Sequence, residues 1–212
     1  QKHADRMSIP HIKQLDPDLD PGHAPLMEID SKQALAGTVQ MGAIEFHTWG
    51  STTKTINKPD RIILDLDPDP ALPWSAMIEA TQLLLSVLDE LELESFLKTS
   101  GGKGMHVVIP IARHMDWDNT KAFAKGISSF MARQIPERFV DKMGPKNRIK
   151  RIFIDYLRNS RGASTVAAYS VRARAGLPVS VPISRQELDE LMSADQWTIH
   201  NLADRLPALK AD

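Results

Sequence analysis

Arg61-Ile62-Ile63-Leu64-Asp65-Leu66-Asp67, followed at once by Pro68, is the stretch from which the rest of the sequence is read. The apolar run Ile62 to Leu64 predicts a buried strand that Pro68 stops. Side chains alternate faces along a strand, so Asp65 and Asp67 point one way and Leu66 the other. Two residues of rise separate the carboxylates by roughly 6.6 Å along the backbone. At an effective dielectric near 20, two unit charges at that spacing repel by roughly 2.5 kcal/mol. A bound divalent cation is the simplest remedy.

The same letters stand earlier, at Asp18-Leu19-Asp20-Pro21. There they follow Leu15-Asp16-Pro17 and run into Gly22, which predicts a surface loop with turn chemistry and not a strand.

The 212 residues, 42% hydrophobic and 25% charged, have the composition of a soluble globular protein that builds its core without staples. Cysteine is absent, which excludes disulfides, a thiolate metal site and a cysteine nucleophile, and fits a reducing cytoplasm. No apolar stretch approaches a membrane span and no signal-peptide pattern opens the chain, so no membrane partner is expected. The net charge of −1 hides an uneven distribution. Between Lys142 and Arg174 stand nine basic residues and one acid, Asp155. The segment is either a solvated basic face or a surface for a polyanion, and the lone acid in its middle favours the second.

Working outward from the carboxylate strand, Asp30 or Ser31 caps a helix through about Met41, and Ala43 to Trp49 alternates like a strand with Glu45, His47 and Trp49 on one face. Trp74 to Leu91 is the clearest helix, with Met77, Thr81, Leu84, Leu88 and Leu91 along its core stripe. Glu94 to Thr99 and Met105 to Ile109 make a hairpin around Ser100-Gly101-Gly102-Lys103-Gly104. Asp116 or Asp118 caps a second helix, ending before Pro136, that faces Phe123, Ile127, Phe130 and Met131 inward. Arg151 to Asp155 again delivers an acid at a strand end. Thr165 to Val171 and Val179 to Pro182 are weaker strands, and Ser184-Arg185-Gln186-Glu187 is a capping box for a helix to about Met192. Asn201 to Leu206 adds a helical turn. With no repeat, low-complexity segment or compositional boundary, one mixed α/β or α+β domain over residues 1–212 is the economical reading.

Three elements carry chemistry. Asp65, Asp67 and Asp155 form a cluster of hard oxygen ligands if their strands are neighbours, suited to Mg²⁺ or Mn²⁺, and two such ions clamp the attacking and leaving oxygens of a phosphoryl transfer. A calcium loop is excluded, because its sixth position would be Pro70 and its twelfth Ala76. The Ser100 to Gly104 loop is suited to phosphate, with glycines that let backbone approach an anion and Lys103 as a point charge; the alternative is a plain glycine-rich turn. It is no Walker A motif, since Gly104 and not Ser or Thr follows Lys103. His106, just beyond, faces the same cleft. Arg148, Arg158 and Arg172 offer bidentate contacts to triphosphate or nucleic-acid backbone. Acids, loop and basic stretch together match the needs of nucleotidyl transfer.

Phe46-His47-Thr48-Trp49-Gly50-Ser51, Asp65-Leu66-Asp67-Pro68, Thr99 through His106, and Arg148 through Asp155-Tyr156-Leu157-Arg158-Asn159 together resemble the polymerase domain of bacterial ligase D, of the archaeo-eukaryotic primase superfamily. The resemblance implies an α+β fold with an RRM-like sheet, mainly antiparallel and flanked by helices. It implies nucleotide addition to DNA 3′ ends, ATP and other ribonucleotides favoured, with Mn²⁺ preferred, in non-homologous end joining within the bacterial cytoplasm and nucleoid. Asp65, Asp67 and Asp155 would ligate the metals, and Asp155 would activate the primer 3′-OH. Ser100, Lys103, His106 and Arg172 would hold the triphosphate, His47 would lie near the sugar, and Arg148 and Arg158 would line the site. The implied partners are primer-template or broken DNA ends, nucleoside triphosphates, ligase and phosphoesterase domains of the same polypeptide, and a Ku-like end-binding protein. The family carries, ahead of the position of Gln1-Lys2-His3, an aromatic pair for base stacking and basic residues for a downstream 5′-phosphate, so the chain reads as such a domain lacking its front. Two rival readings remain: a DNA-end-binding fragment with little catalysis, and a two-metal nuclease or phosphodiesterase.

Overall fold

The computed structural model describes residues 3 and 9–205. Ile62, Leu64 and Leu66 are completely buried, as the alternation requires of one face of a strand packed on helices. That strand runs Arg61–Pro68, so Pro68 belongs to it. Pairing explains why: one neighbour stops opposite Leu66, and Pro68 pairs only on the other side, opposite Ile152. A proline without an N–H is tolerated where one edge of the strand needs no donor.

Contacts divide the chain into two compact units, Gln1–Ile44 and Glu45–Asp212, where composition marks no boundary. In the smaller, β1 (Lys13–Gln14) pairs antiparallel with β2 (Met27–Glu28). The segment Pro17–Leu19 between them is a 3-10 turn, the turn chemistry expected of that stretch. Helix α1 (Lys32–Gln40) is capped by Ser31, whose Oγ accepts the Ala34 N–H at 3.1 Å.

The larger unit contains β3 (His47–Thr48), β4 (Arg61–Pro68), α2 (Trp74–Glu90), β5 (Phe96–Thr99), β6 (Met105–Pro110), α3 (Trp117–Gln134), β7 (Phe139–Val140), β8 (Ile152–Asp155), β9 (Thr165–Val166), β10 (Pro182–Ile183) and α4 (Leu202–Arg205). Its main sheet has the order β10-β5-β6-β4-β8-β7, antiparallel except for β7 with β8. Within it β4-α2-β5-β6-α3-β8 is a split βαβ unit of RRM type, its first and third strands central. This is the expected α+β architecture. Met77, Ala80, Leu84 and Leu88 of α2 and Ala124, Ile127 and Met131 of α3 form one core with Ile62, Leu64, Leu66, Leu97, Met105, Val107, Ile109, Ile152 and Ile154. Both helices therefore cover one face of the sheet and leave the other to the acids.

Several local expectations shift. Leu91 lies past the end of α2 and is 52% exposed. On α3, Asp116 is the cap, accepting the Asn119 N–H at 2.8 Å, but Phe123 and Phe130 point outward. Trp117, Thr120, Ala124 and Ser128 take the inside instead, because the Trp117 indole N–H bonds Ile56 O and the Ser128 hydroxyl bonds Ile154 O. The strand expected over Ala43 to Trp49 shrinks to β3, that over Thr165 to Val171 to β9, and that over Val179 to Pro182 moves to β10. The Ser184 capping box forms reciprocally with Glu187 but opens only a 3-10 turn, Gln186–Glu190. That geometry stacks i and i+3, which places Leu188 and Leu191 together in the core. Of the last expected turn, Leu206 lies outside the described residues. No helix among the described residues is long and apolar enough to cross a membrane.

Candidate active site

One row of side chains crosses the uncovered face. Lys98 on β5 lies opposite His106 on β6, His106 opposite Asp65 on β4, and Asp65 opposite Asp155 on β8. Directly opposed residues have Cβ atoms about 4.5–5.5 Å apart, so Asp65 and Asp155 are nearest neighbours. Asp67, two residues on, shares the face opposite Phe153. Of the three acids expected to cluster, Asp65 and Asp155 are brought side by side, because β4 lies between the hairpin strand β6 and the distant β8. Asp67 shares their face but its carboxylate is on Arg148, and the three do not converge as one ligand group.

Burial pushes the Asp65 carboxyl up, against the pull of Arg158, Lys98, Arg172 and Arg148. Burial raises Asp155 too, and Asp65 adds to it, while the Leu157 N–H and Arg158 act in the other direction. Two opposed carboxylates that both resist ionisation are what a cation would relieve, and an all-carboxylate donor set fits a hard divalent ion. Arginines supply positive charge here: Arg148 pairs with Asp67, and Arg158 Nε lies 3.3 Å from Asp155 Oδ2. His106 Nε2 is 3.5 Å from Asp65 Oδ1, and Nδ1 is buried with no partner among the described residues. Burial, followed by Lys98, Arg172, Arg158 and His47, holds this imidazole well below its ordinary value, so it is neutral.

The Ser100 to Gly104 loop lies against β4. A Cβ at Gly104 would meet Leu66 O at 2.1 Å, so only glycine lets the loop approach Asp65 so closely. Ser100 Oγ accepts the N–H groups of Gly102 and Gly104, both at 3.1 Å, and the Gly101 N–H donates to Ala194 O. The hydroxyl therefore organises the loop, and fewer amides face outward than the glycines alone imply. Lys103 is exposed at the tip. Gly101, at φ +63°, packs against Arg172 and Val179.

Arg172 Nη1 donates to Ser100 O at 2.6 Å, and its Nε is 3.3 Å from Glu45 Oε1. Glu45 also receives the Ala173 N–H, and its Oε2 is 2.9 Å from His47 Nε2. Burial works to raise this carboxyl, but His47, the Ala173 N–H and Arg172 outweigh it and bring it down to about 2. Glu45 thus joins two expected site residues, His47 and Arg172. The basic segment divides: Arg148, Arg158 and Arg172 reach the acids and the loop, whereas Arg151 holds Asn147 O and Arg161 lies over Trp49.

Two further residues escape the sequence reading. Lys98 is buried, with Nζ donating to Val166 O and Ser180 Oγ, both at 2.8 Å, and burial brings its ammonium down to about 8 despite the nearby Asp65. Val166 pairs with His47, so Lys98 ties the His47 strand to the sheet beside the lysine loop. A lone lysine in the apolar strand Phe96–Thr99 was its available signal. The side-chain amide of Asn159 accepts the Ile63 N–H and donates to Ile63 O, both at 2.8 Å. It extends the β8 ladder past Asp155; Asn159 closes one of the motifs that carry the resemblance, which gave it no role.

The LigD primase-polymerase domain family matches residues 1–212. Among relatives, the multifunctional non-homologous end joining protein LigD of Pseudomonas aeruginosa is 62% identical over 212 residues, covering 100% of this chain and 25% of that protein. The bifunctional non-homologous end joining protein LigD of Bacillus subtilis is 28% identical over 165 residues, 77% of this chain and 27% of its own length. The chain thus spans about a quarter of the length of these relatives. The solved polymerase domain of Mycobacterium tuberculosis ligase D, in complex with DNA, superposes with a TM-score of 0.87 at 23% identity, covering 99% of this chain and 75% of that one. Its likeness is one of fold. With a family match along its whole length and 62% identity to a LigD over 212 residues, this chain belongs to the LigD primase-polymerase domain family.

Proposed function

We propose that this chain is the catalytic primase-polymerase domain of an end-joining protein, adding nucleotides to DNA 3′ ends for gap filling and end extension during double-strand break repair. The observation that carries the reading is the row Lys98, His106, Asp65, Asp155 with the Ser100 to Gly104 loop against it. Asp65, Asp67 and Asp155 would hold two divalent ions, Mg²⁺ or Mn²⁺, matching their hard oxygen donors, and the family resemblance favours Mn²⁺. Such ions would supply positive charge at the attacking and leaving oxygens of phosphoryl transfer.

The protein's own groups divide the remaining work. Asp155, with one oxygen oriented by the Leu157 N–H at 2.7 Å, takes the proton of the primer 3′-OH. Lys103 and Arg172 bind triphosphate oxygens, with Ser100 shaping the loop, and the neutral His106 offers a nitrogen to the same group. Arg148 and Arg158 exchange their carboxylate partners for phosphate when substrate and cations arrive together. His47, held by Glu45, would lie near the sugar of the incoming nucleotide. Attached ligase and phosphoesterase domains and a Ku-like partner complete the end-joining assembly.

Extension of a labelled primer with Mn²⁺ and nucleoside triphosphates tests the reading. The parent lengthens the primer and Asp67→Ala does not. Equal lengthening by that variant overturns the assignment, shortening of the primer identifies a nuclease, and duplex binding without lengthening by the parent identifies an end-binding module.

A further inference from the structure

The earlier Asp-Leu-Asp-Pro stretch has its own constellation, separate from the acids of the sheet. His3, Asp20 and His23 bring one ligand atom each within 4.8 Å of one another. His3 Nε2 lies 2.8 Å and His23 Nδ1 3.3 Å from the same Asp20 oxygen, Oδ2. The two rings stack with centroids 5.0 Å apart and planes at 14°. We infer that His3, Asp20 and His23 form a site for a borderline transition-metal ion of the Zn²⁺ class.

Local backbone chemistry builds it. Asp20-Pro21-Gly22-His23 is a tight turn in which the His23 N–H donates to Asp20 O at 3.3 Å and Gly22 takes φ +86°. Proline second and glycine third suit a type II turn, which brings the first and fourth side chains together. His3 arrives from a different segment, held by an isolated antiparallel bridge to Leu26. Nitrogen and oxygen ligands about 2.0–2.1 Å from a tetrahedral zinc lie about 3.3 Å apart. Of the three ligand pairs, His23 with Asp20 already has that separation and His3 with Asp20 meets it after a shift of a few tenths of an ångström. The His3–His23 pair, within 4.8 Å, closes to it as the two stacked rings turn toward the ion. Two imidazoles with one carboxylate select a borderline ion over Mg²⁺, and three protein ligands leave one position open. The Asp20 side chain is 12% exposed and that of His23 60% exposed, so the open position faces solvent. The bound ion would clip His3 to the Asp20–His23 turn.

The inference does not depend on the polymerase reading, and its test uses no primer. Co²⁺ is titrated into the full chain and into His23→Ala, each also in an Asp65→Ala background so that ions held by the sheet acids are subtracted. One equivalent of Co²⁺ with visible d–d absorption, displaced by Zn²⁺, is expected in both parents. Second-sphere changes at metal sites weaken binding by about 10- to 100-fold, so loss of a ligand in His23→Ala weakens this equivalent at least ~100-fold. The exposed position of His23 leaves the metal-free melting temperature unchanged. Absence of that equivalent, or an unchanged affinity and spectrum in His23→Ala, overturns the inference. Should Asp65→Ala not fold, the difference between the parent and His23→Ala decides alone.

Discussion

Asp18-Leu19-Asp20-Pro21 and Asp65-Leu66-Asp67-Pro68 are the same four residues in two structures. After Ile62, Ile63 and Leu64 the letters continue a strand: Leu66 is completely buried, and Asp65 and Asp67 share the face opposite it. After Pro17 they begin in a 3-10 turn whose cap, Asp16, accepts the Asp18 N–H at 2.9 Å. There Leu19 is half-buried, Asp18 is exposed, and Asp20 meets two imidazoles where its counterpart Asp67 meets the Arg148 guanidinium. Four letters hold too little apolar area to choose a conformation. The choice comes from what precedes them, a buried run in one case and a proline that begins a turn in the other.

The largest expected difference between the two stretches is in activity. Asp65→Ala should lower primer extension by about 100- to 1000-fold, the scale on which oriented charge stabilisation is lost, while Asp18→Ala leaves it unchanged. Similar losses in both variants would break the comparison. Next comes stability. Asn159→Ala leaves two buried backbone groups of Ile63 unpaired and should destabilise by about 2–4 kcal/mol in urea unfolding, whereas Asp16→Ala, which removes only a local cap, should cost about 0.5 kcal/mol. If the two variants unfold alike, β4 is held by its own sequence and not by its neighbours. A smaller effect belongs to Lys98→Met, which releases the His47 strand from the sheet beside the loop. It should raise the KM for nucleoside triphosphate about 10-fold with little change in kcat, the equivalent of one charge-assisted hydrogen bond.

The smallest effect depends on pH. The Glu45 carboxyl falls from its ordinary 4.5 to about 2 on folding, so its stabilisation is present above pH 4.5 and is lost as pH falls toward 2. Melting temperature should decline less steeply across that window in Glu45→Gln than in the parent. An equal decline would show that Glu45 does not anchor Arg172 and His47.

Much of the site was legible because its residues lie at strand ends or in a glycine loop, where period and punctuation are informative. The carboxylate strand and the hairpin around Lys103 follow from alternation and turn punctuation, whereas Glu45 reaches His47 from outside the strand expected to carry both. Lys98 and Asn159 were not legible, since each acts on backbone far away in sequence. The inward face of α3 was misjudged for a related reason. Trp117 and Ser128 turn inward to reach Ile56 O and Ile154 O, and no periodicity of the helix itself contains those acceptors.

By itself the sequence determined that β4 is a strand, that Asp65 and Asp67 share its face, and that a lysine-bearing glycine loop precedes His106. These are consequences of local geometry. Only the tertiary structure decided that Asp155 lies opposite Asp65, that Lys98 and His106 complete the row, and that Arg148, Arg158 and Arg172 leave the rest of the basic segment to meet it. Strand order is set by burying one shared apolar face under α2 and α3, a property of the assembled sheet that no single stretch contains.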